Sequence, residues 1–331
     1  MNKLFGLFLL ALACWAPGVA NAANKFAFCA SGSSPCTWDN TNTPNIWFTA
    51  TNGGGSATTV PTSADIAIFD ANSCNAVACT FNVGATINGT SNTLQGITAG
   101  ACTGSTTGCF LNFASGNPSI TITGIIGSGG MSLAGTGTRK YVFGSGTFTF
   151  TATSAGALYD IGTTTGLDGT SDFTAPIVYS ATTTSERQFN GGGQTFGSFT
   201  VAANTSRGGV RIFSANTFAS FTVAAGTSYM MLPASATTTI TGSAGLSLAG
   251  TASNPTIFMA NTPNVGTATV SLSSGTSTPA WIGLMGITTT GAGTLTPTNC
   301  LDFGRNTLDS GDTCTAPVVG GGGGGGRIIG G

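Results

Sequence analysis

The stretch TFGSFTVAANT at residues 195–205 returns as TFASFTVAAGT at residues 217–227, with nine of eleven positions identical at an offset of 22. Each copy alternates apolar residues with Thr or Ser, which is typical of a strand with one buried face. An extended chain of this length traces about 70 Å, enough for two or three short strands with corners. The repeat therefore predicts coils of a β-solenoid, stacked with Phe199 on Phe221.

Six segments share the alternation of apolar and hydroxyl residues: 119–123, 147–153, 198–203, 220–225, 237–241 and 267–273. Clusters of Gly, Asn and Ser separate them and are typical of turns, whereas helical periodicity is absent. A weaker echo, MSLAG at 131–135 and LSLAG at 246–250, has an offset of 115, about five coils. The pattern predicts an all-β parallel solenoid, with tandem β-sandwiches as the alternative.

The chain divides by composition into four segments. Residues 1–22 combine an early Lys, an apolar run and an Ala-Asn-Ala ending, which predicts a signal peptide cleaved near Ala22 and a secreted protein. Residues 23–75 are rich in Trp and Pro, and we expect them to cap the first coil. Residues 76–315 form the predicted solenoid, and 316–331 a Gly-rich flexible tail. The mature chain contains no apolar run of the ~20 residues that a membrane span needs.

Eight cysteines follow the signal peptide in four close pairs. They are Cys29, Cys36, Cys74, Cys79, Cys102, Cys109, Cys300 and Cys314. Pairing between sequence neighbours is the simplest of the 105 possible connectivities, and it suits an oxidising compartment. The chain has no histidine, which argues against a metal site built from the cysteines.

One region resembles a known class of proteins. Trp47, the glycines at 53–55, VPTSADIAIFDANS at 60–73 and the CTFNVGATING that follows resemble the openings of secreted bacterial parallel β-helix proteins and autotransporter-like adhesin passengers. The resemblance implies a right-handed parallel β-helix on a cell or virion surface. The carboxyl end lacks the alternating ~10-residue strands of a translocator barrel, so the resemblance does not extend to self-transport.

Candidate catalytic groups are few. Without histidine, Ser-His-Asp and Cys-His catalysis is excluded, although glycoside hydrolysis needs only two carboxylates. Asp160, Asp168 and Asp172, near Tyr159, are the candidates for such a pair on adjacent coils. Aspartates after Gly or Ser are also turn formers, and we expect turn chemistry here and no enzyme activity.

The loop CLDFGRNTLDSGDTC holds Asp302, Asp309 and Asp312 between two cysteines. Oxygen-rich loops can bind Ca²⁺, but the spacing fits no EF-hand, so a disulfide-closed loop with Asx turns is favoured. We expect no cofactor.

Charged residues make up 6% of the chain and the net charge is −1, which gives no field to attract nucleic acid. The adjacent charged pairs Arg139-Lys140 and Glu186-Arg187 are interpreted as solvated surface. Four aromatic residues could stack on sugars or belong to the core: Tyr141, Tyr179, Tyr229 and Trp281.

Together these features predict a secreted structural or adhesive surface protein. Its Thr/Ser/Asn-rich flank would bind glycan or a neighbouring surface through many weak contacts, with surface polysaccharide or other envelope components as partners. Two alternatives remain: a phage virion fibre or decoration protein, and a polysaccharide hydrolase or lyase on the same β-helix scaffold.

Overall fold

The computed structural model describes residues 23–30, 35–38, 46–51, 53–70, 72–74, 79–85, 92–99, 109–127, 129–135, 137–162, 164–203, 206–243 and 245–315. The predicted signal peptide at 1–22 and the predicted tail at 316–331 lie outside these residues, as does Cys102.

The described chain consists of short strands and one 3-10 turn at Phe113–Ser115. The strands are β1 Ala23–Ala27, β2 Cys36–Thr37, β3 Trp47–Phe48, β4 Asp65–Phe69, β5 Cys79–Asn82, β6 Thr93–Leu94, β7 Gly96–Ala99, β8 Cys109–Asn112, β9 Ile120–Ile122, β10 Gly130–Ser132, β11 Arg139–Val142, β12 Phe148–Phe150, β13 Gly156–Asp160 and β14 Ile177–Tyr179. They continue with β15 Arg187–Asn190, β16 Thr195–Val201, β17 Val210–Phe213, β18 Thr217–Val223, β19 Tyr229–Leu232, β20 Thr237–Ile240, β21 Leu246–Leu248, β22 Thr256–Ala260, β23 Ala268–Leu272, β24 Thr276–Ser277, β25 Ala280–Met285, β26 Ile287–Thr290, β27 Thr294–Leu295 and β28 Thr298–Asp302.

Two long sheets run the length of the molecule. The twelve-stranded sheet has the order β28-β25-β22-β19-β17-β15-β13-β10-β7-β4-β1-β3, and the ten-stranded sheet has the order β26-β23-β20-β18-β16-β14-β12-β9-β6, with β21 beside β18. A four-stranded sheet, β11-β8-β5-β2, and the pair β24-β27 complete the coils. The chain visits the sheets in turn, so strands that are neighbours in space belong to successive coils.

This topology is a parallel β-solenoid, as the sequence predicts. Among the described strands only β1 and β3 pair antiparallel, whereas β-sandwiches are built from antiparallel pairs. All six strands expected from the alternation are confirmed, and all six lie in the ten-stranded sheet.

The 22-residue repeat is one coil of the solenoid. Strand β16 pairs with β18 in the predicted register, with Phe199 opposite Phe221. Successive partners in this sheet lie 28, 29, 22 and 22 residues apart; they are Ile122, Phe150, Tyr179, Val201 and Val223. The coil length varies because the corners differ, while the register between strands is kept.

The weaker echo does not reflect stacking. Met131 and Ser132 belong to β10 in the twelve-stranded sheet, whereas Leu246 and Ser247 belong to β21, which pairs with β18 in the other sheet. The interpretation of this offset as five coils is wrong, because short Thr/Gly-rich motifs recur at positions that are not equivalent.

Like-on-like stacking fills the core with aromatic rings. The rings of Phe199 and Phe221 are stacked at 5.3 Å and 20°, and those of Tyr159 and Phe189 at 4.8 Å and 12°. Each of these side chains is at most 1% exposed. Burial of a Phe side chain contributes about 1.5–3 kcal/mol, so the ladders supply much of the apolar stabilisation.

The amino-terminal end is reinforced by two interactions. Trp47 packs edge-on against Trp38 at 5.1 Å and donates its indole N–H to the carbonyl of Trp38. Lys25 Nζ on β1 lies 3.0 Å from Asp65 Oδ2 on β4. Burial raises the pKa of Asp65, but hydrogen bonds from Thr62 together with the Lys25 ammonium outweigh it and hold the pKa below its usual value.

Three disulfides join sequence neighbours: Cys29–Cys36, Cys74–Cys79 and Cys300–Cys314. They confirm the predicted neighbour pairing for these six cysteines. Their closed loops lie toward the two ends of the solenoid, and the sequence contains no cysteine between Cys109 and Cys300.

We expect Phe199→Ala to lower the free energy of unfolding by about 3–5 kcal/mol, because it removes one ring from the centre of a buried stack. The matched control is Thr200→Ala, on the outer side of the same strand, which we expect to change stability by about 0.5 kcal/mol or less. Urea denaturation followed by circular dichroism measures both, and equal effects would contradict the assignment of the inner face.

Reduction should loosen the ends of the molecule before its middle. After treatment with dithiothreitol, limited proteolysis should cleave faster within residues 23–85, because two of the staples lie there. Cleavage within residues 177–260, which contain no cysteine, provides the internal control. Digestion kinetics that stay unchanged in both regions would show that the disulfides do not hold the amino-terminal end.

Candidate functional site

A groove with mixed polar and apolar lining lies on the outer face of the twelve-stranded sheet, across β13, β15 and β17. It has a volume of about 210 Å³ and is lined by Ala157, Asp160, Gln188, Asn190 and Phe213. In β15 and β17 these residues alternate with buried ones, so the pleat directs them outward. In β13 the register shifts between Ala157 and Tyr159, and the buried pair Leu158 and Tyr159 separates Ala157 from Asp160. The pairing register aligns them on successive coils: Asp160 lies opposite Asn190, and Asn190 lies opposite Phe213.

Hydrogen bonds fix the polar side chains of the groove. Asp160 Oδ1 accepts from Asn190 Nδ2 at 2.8 Å and from the backbone N–H of Gly162 at 2.7 Å. Asn190 Oδ1 in turn accepts from Ser214 Oγ at 3.0 Å. Asp160 Oδ2 makes no hydrogen bond within the described part of the chain and is left as an acceptor for a ligand.

A charged cluster borders the groove. Glu186 Oε2 accepts from Arg211 Nη2 and from Tyr229 Oη, both at 3.1 Å, and Glu186 Oε1 accepts from Gln188 Nε2 at 3.1 Å. Burial, with the neighbouring Glu186 carboxylate, raises the pKa of Tyr229, so its phenol stays a hydrogen-bond donor. The guanidinium of Arg211 lies 5.8 Å from the ring centroid of Phe213, within the range of a cation–π contact.

The two acidic residues nearest the groove, Asp160 and Glu186, occupy separate positions along the sheet. Asp160 lies beside Asn190, whereas Glu186 precedes Asn190 by four residues along the same sheet. At ~3.3 Å per residue the two positions are about 13 Å apart. The carboxyl groups of a glycosidase pair are separated by about 5–9.5 Å, which is shorter than this backbone spacing.

The three predicted catalytic aspartates lie on two sides of the coil. Asp160 is on the twelve-stranded sheet, while Asp168 and Asp172 follow β11 of the four-stranded sheet, where Leu167 bridges Arg139 and Asp172 bridges Val142. The structure therefore brings only Asp160 into the groove. The neighbouring Tyr159 is fully buried in the core.

All three aspartates make the same local contact. Each carboxylate accepts a hydrogen bond from the backbone N–H two residues ahead: Asp160 from Gly162, Asp168 from Thr170 and Asp172 from Thr174. These are Asx turns. Hydrogen bonds from the side chain and backbone of Thr170 hold the pKa of Asp168 below its usual value, opposite to the shift that a catalytic acid requires.

The candidate calcium ligands accept hydrogen bonds from groups of the carboxyl-terminal coils. Asp302 Oδ1 accepts from Gly304 N and Asn306 Nδ2, Asp309 Oδ1 from Ser310 N, and Asp312 from Leu295 N and Thr289 Oγ1. Within the described ranges no three His, Cys, Asp or Glu side chains are grouped closely enough to hold a metal ion.

Two arginines depart from the expectation of a solvated surface. Arg139 and Arg187 are fully buried, so that interpretation is wrong for both. Arg139 Nη1 donates to the carbonyl of Thr165 at 2.7 Å, and Arg187 Nη1 to that of Ala181 at 3.0 Å. Burial lowers the pKa of Arg187, with Tyr179 opposing the shift.

Sequence reasoning missed most of the groove. Gln188, Asn190 and Phe213 were not singled out, and Tyr229 is the one candidate aromatic that contacts the bordering cluster. Tyr141 and Tyr179 belong to the core. The period-two alternation in RQFN and VRIF could have placed Gln188, Asn190 and Phe213 on one face, but not beside Asp160.

Comparison with known proteins does not name a family for this chain. No family model matches it, and neither a curated protein nor a solved structure is significantly similar to it. Within the part of the chain that the structure describes, no helix is long and apolar enough to cross a membrane.

Proposed function

We propose that the protein is a secreted, non-catalytic surface protein that binds glycan in the groove between Asp160 and Phe213. The observation that carries this proposal is the combination of an aromatic ring with fixed carboxylate and amide groups in one open groove. Sugar rings present an apolar face and a rim of hydroxyl groups. Phe213 would pack on the face, while Asp160 and Asn190 would bind the hydroxyls.

The scaffold suits an adhesive role. Coils joined by continuous parallel pairing form a rod, and its stapled ends protect the exposed strand edges. Disulfides are compatible with an extracellular location. Binding in a shallow groove would be weak at each site, so adhesion would depend on several molecules or repeated sugar units acting together.

The absence of catalysis is part of the proposal. The lowered pKa of Asp168, the Asx turns at all three aspartates and the separation of Asp160 from Glu186 support it. A glycoside hydrolase on the same scaffold would need a pair of carboxylates in one cleft.

We expect Phe213→Ala to weaken glycan binding about tenfold, because it removes the ring on which a sugar would pack. The matched control is Met259→Ala, a partly exposed outward position of the same sheet outside the groove, which should bind as the native protein does. A glycan array identifies the ligand, and calorimetry with that ligand measures both variants.

Equal affinity of the two variants would place any glycan site elsewhere. Release of reducing ends or unsaturated sugars from the bound glycan, abolished by Asp160→Asn, would contradict the non-catalytic assignment.

A further inference from the structure

The outer face of the ten-stranded sheet carries regular columns of hydroxyl side chains, here called the hydroxyl face. The longest column is interrupted once, by Val178, and follows the strand pairing through Thr93, Thr121, Thr149, Val178, Thr200, Thr222 and Ser247. A second column consists of Thr195, Thr217, Thr239, Ser271 and Thr290. A third consists of Thr237, Thr269 and Thr288. Their alternation with buried residues directs them outward.

The hydroxyl face carries no charge. The described strands of the ten-stranded sheet contain no Asp, Glu, Lys or Arg, although the other long sheet contains Lys25, Asp65, Asp160, Arg187, Arg211 and Asp302. The aromatic residues of the same strands, including Phe199 and Phe221, point into the core. The outer surface of this sheet therefore consists mainly of methyl and hydroxyl groups.

The spacing of these groups is fixed in two directions. Neighbouring strands are about 4.8 Å apart, and outward residues two positions apart on one strand are separated by roughly 6.6–6.8 Å. Three successive strands use both positions: Thr237 with Thr239, Thr269 with Ser271, and Thr288 with Thr290. The result is a two-dimensional grid.

The grid is rigid, and six threonine hydroxyls of the hydroxyl face are uncommitted. Threonine is β-branched and restricted at χ1, and the buried side chains of Ile240, Val270 and Ile287 lie on the inner side of the same strands. Thr123 and Thr241, just beyond their strands, donate to the carbonyls of Leu94 and Phe218. By contrast, the hydroxyls of Thr200, Thr222, Thr237, Thr239, Thr269 and Thr288 make no hydrogen bond to the described part of the chain.

A regular, uncharged grid of this kind matches a ligand that is itself periodic. Binding an isolated sugar chain would call for an aromatic platform or fixed carboxylates, which this face lacks. In ice, by contrast, water oxygens repeat at distances close to both spacings of the grid. Threonine hydroxyls can take lattice positions while the methyl groups order the water between them, and no charge is present to disrupt that order.

We propose that the hydroxyl face binds the surface of ice crystals. The site is independent of the glycan groove, because it uses a different sheet and a different set of residues. Adsorption would hold the rod flat on the crystal through many weak contacts. The threonine side chains that make these contacts would lose little conformational entropy.

The test uses the secreted full chain in ice-affinity partitioning and in thermal hysteresis measurements. The native protein should partition into growing ice and depress the freezing point below the melting point. Thr269→Tyr should abolish both effects, because its ring stands above the centre of the grid. Met259→Tyr, on the twelve-stranded sheet, is the matched control and should retain them.

A second variant distinguishes loss of ice binding from loss of folding. Thr239→Val keeps a β-branched side chain and removes one hydroxyl, so it should fold normally and partly reduce thermal hysteresis, with circular dichroism as the check on folding. Failure of the native protein to bind ice overturns the proposal. Binding to crystalline cellulose or chitin without binding to ice also overturns it, by assigning the face to polysaccharide. Phe213→Ala should leave ice binding intact, so failure of this proposal can be told from failure of the glycan proposal.

Discussion

Parallel, in-register pairing between successive coils is the constraint on which the structure depends. Each strand bonds to the equivalent strand of the next coil, so each side chain lies above its counterpart. Inside, this places Phe199 on Phe221 and Tyr159 on Phe189. Outside, the same rule aligns Thr200 with Thr222, and Asp160 with Asn190. The core and both candidate binding surfaces result from this single geometric condition.

The sequence predicted one sheet far better than the other. Strands of the ten-stranded sheet alternate apolar residues with Thr or Ser, which gives a clear period of two. Strands of the twelve-stranded sheet, such as YMML and TIFMA, carry Met231, Ile257 and Met259 on their outer side. Because both faces of these strands are apolar, apolar and polar residues do not alternate along them, and the sequence pattern did not predict the strands.

The candidate site was less accessible from the sequence than the fold. Asp160 could be singled out as a carboxylate, but its partner Asn190 lies 30 residues away and reaches it through the pairing register. The burial of Arg139 and Arg187 was equally hard to predict, because their guanidinium groups donate to the backbone carbonyls of Thr165 and Ala181. Because the coils differ in length, no single sequence offset identifies the residue pairs that are in contact. The 22-residue repeat was visible because two adjacent coils have equal length and nearly equal sequence.

The two outer faces have distinct chemistry on one scaffold. Charged and aromatic groups are concentrated around Glu186, Arg211 and Phe213 on the twelve-stranded sheet, whereas the hydroxyl face is uncharged. With both proposals, such a division would let the rod contact two different materials at once, a glycan on one side and an ice surface on the other.

The most direct test of the account is the distance along a single column. Nitroxide labels at Thr93 and Thr200 are four coils apart, and labels at Thr93 and Ser247 are six coils apart. At about 4.8 Å per coil, double electron–electron resonance should give backbone separations of about 19 and 29 Å. Narrow distributions that differ by about two coil spacings would support in-register stacking. Distances that do not follow the number of coils would contradict it.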